Sequence, residues 1–230
     1  SAIAESSLTI EGVRVVVDAG LMRVARFDPG TGMTRLETLR VTRDAADQRR
    51  GRAGRTAPGT CYRLWTRRDE AGMVPARTPE IQEADLAPLL LDLAAFGAAP
   101  GELDWLDPPG TSQLAQADEL LRELEALGPD GSLTPHGRRM AEQGVHPRLA
   151  HLVLRGVELG WGVLACSLAA LLEERDVLRG AAGPPEADVR LRLEALEDGV
   201  RALPPDVTVD RSAASRVRKQ AEALRRRSGS

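Results

Sequence analysis

Gln48-Arg49-Arg50-Gly51-Arg52-Ala53-Gly54-Arg55 is the stretch around which the chain is organised. Four arginines and two glycines fall within eight residues. Arginine rarely fills a core, and crowding like charges costs energy, so a packed fold gains little from such a run. A site that must grip a polyphosphate gains much more, because each guanidinium offers a fork of donors and a charge that never titrates. A solvated basic turn is the plain alternative. The spacing argues against it. Arg52 and Arg55 are three apart and Gln48 is four before Arg52, so a helical turn would gather all three on one face. Gly51 and Gly54 leave room for a close backbone approach.

The neighbouring segments set this stretch in an α/β context. Thr42 to Gln48 reads as the start of the helix, with Thr42 as N-cap and Asp44 in the first turn. Upstream, residues 22–27 and 33–41 read as two strands around the turn signal Asp28-Pro29-Gly30-Thr31-Gly32, which predicts a hairpin. Before that, Val13-Arg14-Val15-Val16-Val17 is a nearly continuous β-branched run, as expected of a strand in a parallel sheet buried on both faces. Downstream, Pro58-Gly59 is a turn and Thr60 to Trp65 alternates as a strand. These elements match the closing part of an α/β sheet and are too few for a complete doubly wound domain.

From Asp69 the character changes to helices. Gly72, Pro75 and Pro79 mark a linker. Leu86, Leu89, Leu90 and Leu93 then form an apolar helical stripe, with Asp85 as N-cap and Gly97 as stop. A second helix follows through Leu114, Ala117, Leu121 and Leu124, stopped by Gly128-Pro129. Leu133-Thr134 is short and extended. Thr134-Pro135 opens a third helix, to about Gln143. Helix, helix, short strand and helix is a winged-helix-like order. His146-Pro147 starts the next helix, and Val163 to Leu172 is apolar nearly all round, as at the centre of a bundle. Val189, Leu193 and Leu196 mark a further helix, and residues 212–227 form a last basic one with Val217, Ala221 and Leu224 on one face.

The composition narrows the classes. The 230 residues allow one large domain or a few small ones, and the 42% hydrophobic share supports real cores. Aromatics are only 3%, so those cores rely on Leu, Val and Ala. Two cysteines, Cys61 and Cys166, offer neither a disulfide framework nor metal spacing, and the expected setting is a reducing, cytoplasmic one with no metal ligands. No apolar run approaches the ~20 residues of a membrane span, so no membrane partner is expected. The net charge of -3 hides an asymmetry: residues 1–68 carry net +6, residues 69–127 net -11 and residues 128–230 net +2. The first block carries by far the largest positive charge, the sign expected of a phosphate partner.

Ile3-Ala4-Glu5-Ser6-Ser7-Leu8-Thr9-Ile10, then Gln48 to Arg55, then Pro58-Gly59-Thr60-Cys61-Tyr62-Arg63-Leu64 closely resemble motif V, motif VI and the following strand of the DEAH-box helicases. The resemblance continues through Thr78-Pro79-Glu80-Ile81-Gln82, Leu106-Asp107-Pro108-Pro109 and Leu133-Thr134-Pro135-His136-Gly137-Arg138-Arg139-Met140-Ala141. His146-Pro147-Arg148-Leu149-Ala150-His151 and Leu171-Leu172-Glu173-Glu174-Arg175-Asp176 look most like the bacterial HrpB-type members. Coverage is roughly residues 1–180.

The resemblance implies a partial RecA-like α/β sheet followed by a mostly helical region. Residues 1–67 would be the C-terminal part of the second RecA-like domain, 68–145 a degenerate winged helix, and 146–230 a ratchet-like helical bundle. It implies an ATP-dependent RNA helicase whose two RecA-like domains close over ATP and Mg²⁺, with this chain supplying the motif V and motif VI side. Gln48 would position the attacking water or γ-phosphate, and Arg52 and Arg55 would stabilise charge on the transferred phosphoryl group. Thr9, Glu11 and Gly51 would lie at the nucleotide. Ser1, Ser6 and Ser7 would touch the backbone of a single strand of RNA, since hydroxyls bond phosphate and 2′-OH without reading bases. Residues 22–41 match the family hairpin near that strand. Two positions depart from the pattern: Ala2 stands where the family has Asn, and Ser6 where it has Thr. The chain also lacks a Gly-x-x-x-x-Gly-Lys-Ser/Thr loop and an Asp-Glu-Ala-His box. The expectation is therefore a chain that is inactive alone and needs an N-terminal RecA-like domain as partner. The alternative is a non-catalytic nucleic-acid or protein-binding adaptor derived from helicase accessory domains.

Overall fold

The structure, a computed structural model, describes residues 11–28, 33–180, 188–197, 203 and 206–229. The chain divides into two compact units, Ser1–Asp85 with Trp105–Gly110, and Leu86–Asp104 with Thr111–Ser230.

In the first unit, β1 (Val15–Asp18) pairs in parallel with β4 (Thr60–Arg63), in register Val15↔Thr60 to Asp18↔Arg63. Between them run the hairpin β2 (Leu21–Asp28) and β3 (Met33–Arg40), paired antiparallel from Leu21↔Arg40 to Asp28↔Met33, and the helix α1 (Arg43–Ala53). The predicted strand, hairpin, helix and strand are all present. Burial of β1 differs from expectation. One sheet face meets α1, through Asp18 to Arg49 and Arg63 to Asp47. On the other face Val15, Val17, Tyr62 and Leu64 are 57–65% exposed. A run of valines reports a tendency to be covered on both sides, whereas α1 covers one.

The small core of this unit is Met22, Val41, Ala45, Ala46 and Met73, with Val24 and Trp65 against it. The base of the hairpin and the first half of α1 thus share one apolar contact. Residues predicted as linker contribute to it. The short helix α2 (Arg67–Ala71) starts with a capping box between Thr66 and Asp69. The irregular segment after it then returns to the start of α1 at Val74 and Pro75.

In the second unit the helices are α3 (Ala87–Phe96), α4 (Thr111–Glu123), α5 (Pro135–Gln143), α6 (Pro147–Glu158), α7 (Gly162–Glu173), α8 (Val189–Glu197) and α9 (Arg211–Ser228). A two-stranded sheet of β5 (Leu178–Gly180) and β6 (Val207–Val209) was not foreseen, because its strands are short and lie far apart in sequence. The N-cap of α3 is Leu86, one residue after the expected Asp85. Its buried side is Leu86, Ala87 and Leu91 rather than the full leucine stripe. α4 stops before the expected Gly128-Pro129, because Glu125 adopts a left-handed φ of 59° and the N–H of Ala126 turns back to Leu121 O at 2.8 Å.

α5 begins as the sequence predicts. Thr134 Oγ1 accepts from Gly137 N at 2.9 Å and itself donates to Glu125 O at 2.6 Å. Thr134→Ala is expected to cost about 1 kcal/mol, the usual size of a lost N-cap, and Thr134→Ser much less. Thermal unfolding of the two variants checks this, and equal melting temperatures would remove the cap from the account.

α6, α7 and α9 form a bundle around Val153, Cys166, Ala169 and Leu224, and a second apolar cluster gathers Ala170, Val177, Ala195, Ala214 and Val217. Gly156 permits the approach of α6 to α7, since a Cβ there would lie 2.3 Å from Ala165 Cβ. α7 is not buried all round. Val163 is 55% and Leu172 64% exposed, because α6 and α9 pack on one side of it. α9 buries Val217, Ala221 and Leu224 as predicted. Its basic side chains serve packing as well: Arg216 pairs with Glu174 at 3.1 Å, and Arg218 donates to Leu196 O at 2.8 Å.

His136 and His151 join α5 to α6, with Nε2 and Nδ1 3.0 Å apart, and Nδ1 of His151 also lies 3.0 Å from Leu124 O. Leu124 O only accepts, so the hydrogen-bond pattern assigns the proton to His151 Nδ1 and leaves His136 Nε2 bare. Burial, then the neighbouring His151 and Arg155, hold His136 below the ordinary histidine range. The folded state therefore favours neutral His136. Its contribution is present above the unfolded value of about 6.5 and is lost as pH falls through the folded value. Melting temperature is expected to drop between pH 7.5 and 5, with a shallower drop in His136→Gln. Parallel pH profiles would contradict this.

Candidate functional site

The arginine stretch forms the second half of α1 and its exit. The helix starts where predicted, after Thr42, but Thr42 makes no side-chain cap. The first N–H groups are instead satisfied by the linker: Arg43 N donates to Val74 O at 3.0 Å and Asp44 N to Pro75 O at 3.1 Å. Ala45, Ala46, Arg49 and Ala53 are the buried residues of the helix and lie along one side of it. Small alanines bring the helix axis close to the sheet. Gly59 makes this possible, because a Cβ there would stand 2.1 Å from Ala53 O and 2.7 Å from Arg14 O.

Gln48 and Gly51 are exposed, and Arg52 is half-buried at the outer edge. Gln48 and Arg52 lie one turn apart on the helix. The helix ends at Ala53 with Gly54 as C-cap, so exposed Arg55 sits in the turn beyond rather than on a third helical position. Glycine is a poor helix former, which explains the stop. A Cβ on Gly51 or Gly54 would meet nothing within 4 Å, so the space outside this edge is open. Arg50 is exposed and pairs with Asp47 at 3.3 Å. Asp47 also accepts from Arg63 at 2.6 Å, and Arg63 reaches Glu70 of α2 and lies 5.4 Å from the Trp65 ring.

Arg49 behaves differently from the other three arginines. It points inward, donating from Nη1 to Asp18 Oδ1 at 3.0 Å and to Leu21 O at 3.0 Å. Both side chains of the ion pair are nearly inaccessible, 6% and 3% exposed. Neither Arg49 nor Asp18 was singled out from the sequence. The signal was there: Arg49 is four after Ala45 and four before Ala53, in phase with the apolar side.

Of the other predicted residues, Glu11 is an exposed turn residue shortly before β1. Thr9, Ser1, Ser6 and Ser7 lie outside the described residues. Among the described residues no three His, Cys, Asp or Glu side chains gather as a metal site, and no helix is long and apolar enough to cross a membrane. The assembled edge of α1 and its exit is thus an open surface with one amide and two guanidinium groups. Such donors suit a polyanion.

No protein-family profile matches the chain. It is 43% identical over 173 residues to the ATP-dependent RNA helicase HrpB of Escherichia coli (strain K12), covering 75% of this chain and 21% of HrpB. It is 39% identical over 203 residues to the pre-mRNA-splicing factor ATP-dependent RNA helicase prp22 of Schizosaccharomyces pombe, covering 81% of this chain and 17% of prp22. The chain thus spans about a fifth of the length of these relatives. Solved structures also match it, two of them of HrpB. The crystal structure of the E. coli DExH-box NTPase HrpB does so at a TM-score of 0.74 and 35% identity, over 100% of this chain and 26% of that one. The crystal structure of the E. coli DEAH/RHA helicase HrpB does so at 0.77 and 34%, over 99% and 26%. An arginine-edged helix on a parallel sheet, a helical second unit and this extent of identity lead to one assignment: the chain belongs to the DEAH-box helicase family and corresponds to part of an HrpB-type chain.

Proposed function

We propose that this chain is the C-terminal part of an ATP-dependent RNA helicase and carries the arginine side of its nucleotide site. In this reading residues 1–67 close the second RecA-like domain, residues 68–145 form a degenerate winged helix, and residues 146–230 form a ratchet-like bundle. The observation that carries it is the division of labour within α1. Arg49 is turned inward as part of the fold, while Gln48, Arg52 and Arg55 remain on the open side. The half-buried Arg52 and exposed Arg55, beside two glycines with open space around them, fit a polyphosphate.

ATP with Mg²⁺, when bound, supplies the phosphoryl group and part of the counter-charge for its transfer. The chain's own residues have three tasks. Gln48 orients the attacking water or the terminal phosphate by hydrogen bonding. Arg52 and Arg55 stabilise negative charge on the equatorial oxygens, which is the main form of help that phosphoryl transfer accepts. Thr9, Glu11 and Gly51 border the nucleotide, and Ser1, Ser6 and Ser7 contact the backbone of single-stranded RNA. The phosphate loop and the DEAH box come from an N-terminal RecA-like domain of the same protein, so residues 1–230 alone do not turn over ATP.

The bare apolar face of Val15, Val17, Tyr62 and Leu64 supports this reading. Parallel strands are ordinarily covered on both faces, and the remainder of a RecA-like domain would cover this one. The test is steady-state ATP hydrolysis by the full-length protein, with and without RNA, against Arg52→Ala. Stimulated hydrolysis near the wild-type rate in that variant would overturn the assignment.

A further inference from the structure

Asp18 ends β1, and the four residues Asp18-Ala19-Gly20-Leu21 turn the chain into the hairpin. Gly20 takes a left-handed φ of 73°, and its N–H donates to Asp18 Oδ1 at 3.0 Å. The hairpin returns through Arg40, the register partner of Leu21. Val41 N then donates to Gly20 O at 2.9 Å, and α1 starts two residues later. Both roots of the hairpin therefore meet at Gly20 and Leu21. Arg49 enters this same point from the second turn of α1, bridging Asp18 Oδ1 and Leu21 O. The Trp65 ring closes over it, so near that a Cβ on Gly20 would lie 2.9 Å from Cε3.

A buried ion pair of this kind is a poor way to add stability, because desolvating both charges offsets most of their attraction. What it does well is define geometry. A guanidinium with two acceptors on different sides of a turn tolerates little rotation or sliding of the helix that carries it. Arg49 directly follows Gln48 and precedes Arg52 by three residues. Any shift of the hairpin roots that moves Leu21 O or Asp18 moves Arg49, and with it the helix edge bearing Gln48 and Arg52.

We infer that Arg49 and Asp18 are positioning residues which couple the β2–β3 hairpin to the arginine edge of α1, so that nucleic acid against the hairpin sets the alignment of Gln48 and Arg52. This rests on the reading that the edge of α1 faces a nucleotide and that the hairpin lies by the RNA strand. The coupling works through rigid transmission: the strand roots and the helix share the buried cluster of Met22, Val41 and Ala45, and the Arg49 bridge to Asp18 and Leu21 O ties the helix to the same turn. Misalignment of about 1 Å at a phosphoryl-transfer site is enough to lower the rate by tenfold or more.

The experiment uses the full-length protein with Arg49→Lys and Asp18→Asn, each of which keeps the shape of the site while weakening one part of the bridge. ATP hydrolysis is measured without RNA and at saturating single-stranded RNA, together with KM for ATP and the melting temperature. Expected is a fall of about tenfold in the ratio of stimulated to unstimulated kcat, with KM for ATP unmoved, because alignment is used in the transition state and not in binding. A folded variant whose two rates fall in equal proportion would reduce the pair to a structural element and overturn the coupling. So would an unchanged ratio in either variant. Arg52→Ala separates this from the underlying reading. Loss of activity in Arg52→Ala with a wild-type ratio in Arg49→Lys and Asp18→Asn rejects the coupling alone, whereas full activity in Arg52→Ala rejects both.

Discussion

Replacing Arg52 by alanine in the full-length protein is expected to lower RNA-stimulated ATP hydrolysis by at least about 10³-fold, the lower end of the range for an arginine acting on a transferred phosphoryl group. That factor corresponds to about 4 kcal/mol of transition-state stabilisation. The effect should fall on kcat more than on KM for ATP, since the charge that Arg52 meets is largest at the transition state. Arg52→Lys should recover little, because an ammonium lacks the planar fork. The protein should remain folded, for Arg52 sits half-buried at the outer edge of α1 and not among its buried residues. Steady-state kinetics with a melting curve on the same sample decides the matter. A stimulated rate within a factor of about three of wild type would show that Arg52 does not touch the transferred group.

Gly59→Ala is the substitution with the largest expected effect on the fold. The new Cβ would stand 2.1 Å from Ala53 O, 2.6 Å from Ala53 C and 2.7 Å from Arg14 O. All three are backbone atoms, so no rotamer change relieves the clash. Two elements would have to separate: the C-terminal end of α1, and the entry of β4, where Thr60 N donates to Arg14 O at 2.8 Å. Overpacking of this kind costs about 3 kcal/mol, at the upper end of what a single added methyl does. Gly51→Ala is the internal control. Its Cβ meets nothing within 4 Å, and alanine is the better helix former by about 1 kcal/mol, so stability should stay level or rise. Urea unfolding followed by Trp65 and Trp105 fluorescence reads both. A Gly59→Ala midpoint equal to wild type would mean that the helix does not approach the sheet as closely as described.

Much of the fold was visible in residue order because it depends on neighbours a few positions apart. The β2–β3 hairpin follows from two strand-like runs on either side of a turn signal, and its paired strands match the predicted 22–27 and 33–41, while the turn residues 29–32 lie outside the described residues. The Thr134-Pro135 start of α5 and the apolar side of α9 are equally local. The helix through the arginine stretch was also legible, as was the face shared by Gln48 and Arg52. Its end was less so. Arg55 left the helix because Gly54 ended it, a competition between spacing and propensity that spacing alone cannot decide.

What residue order established without help is the resemblance carried by the arginine motif, together with the existence of α1 and the alignment of Gln48 with Arg52, the last two set within four or five residues by helical periodicity. The fold itself selected which arginine turns inward. Arg49 is buried because Asp18, 31 residues earlier, and Leu21 O stand beneath it, and a charge enters a core only where such partners are already fixed. The capping of α1 by Val74 and Pro75 carbonyls and the bare face at Val15 and Val17 are decided in the same way. Each depends on which distant segment packs against the element, and no local pattern carries that information.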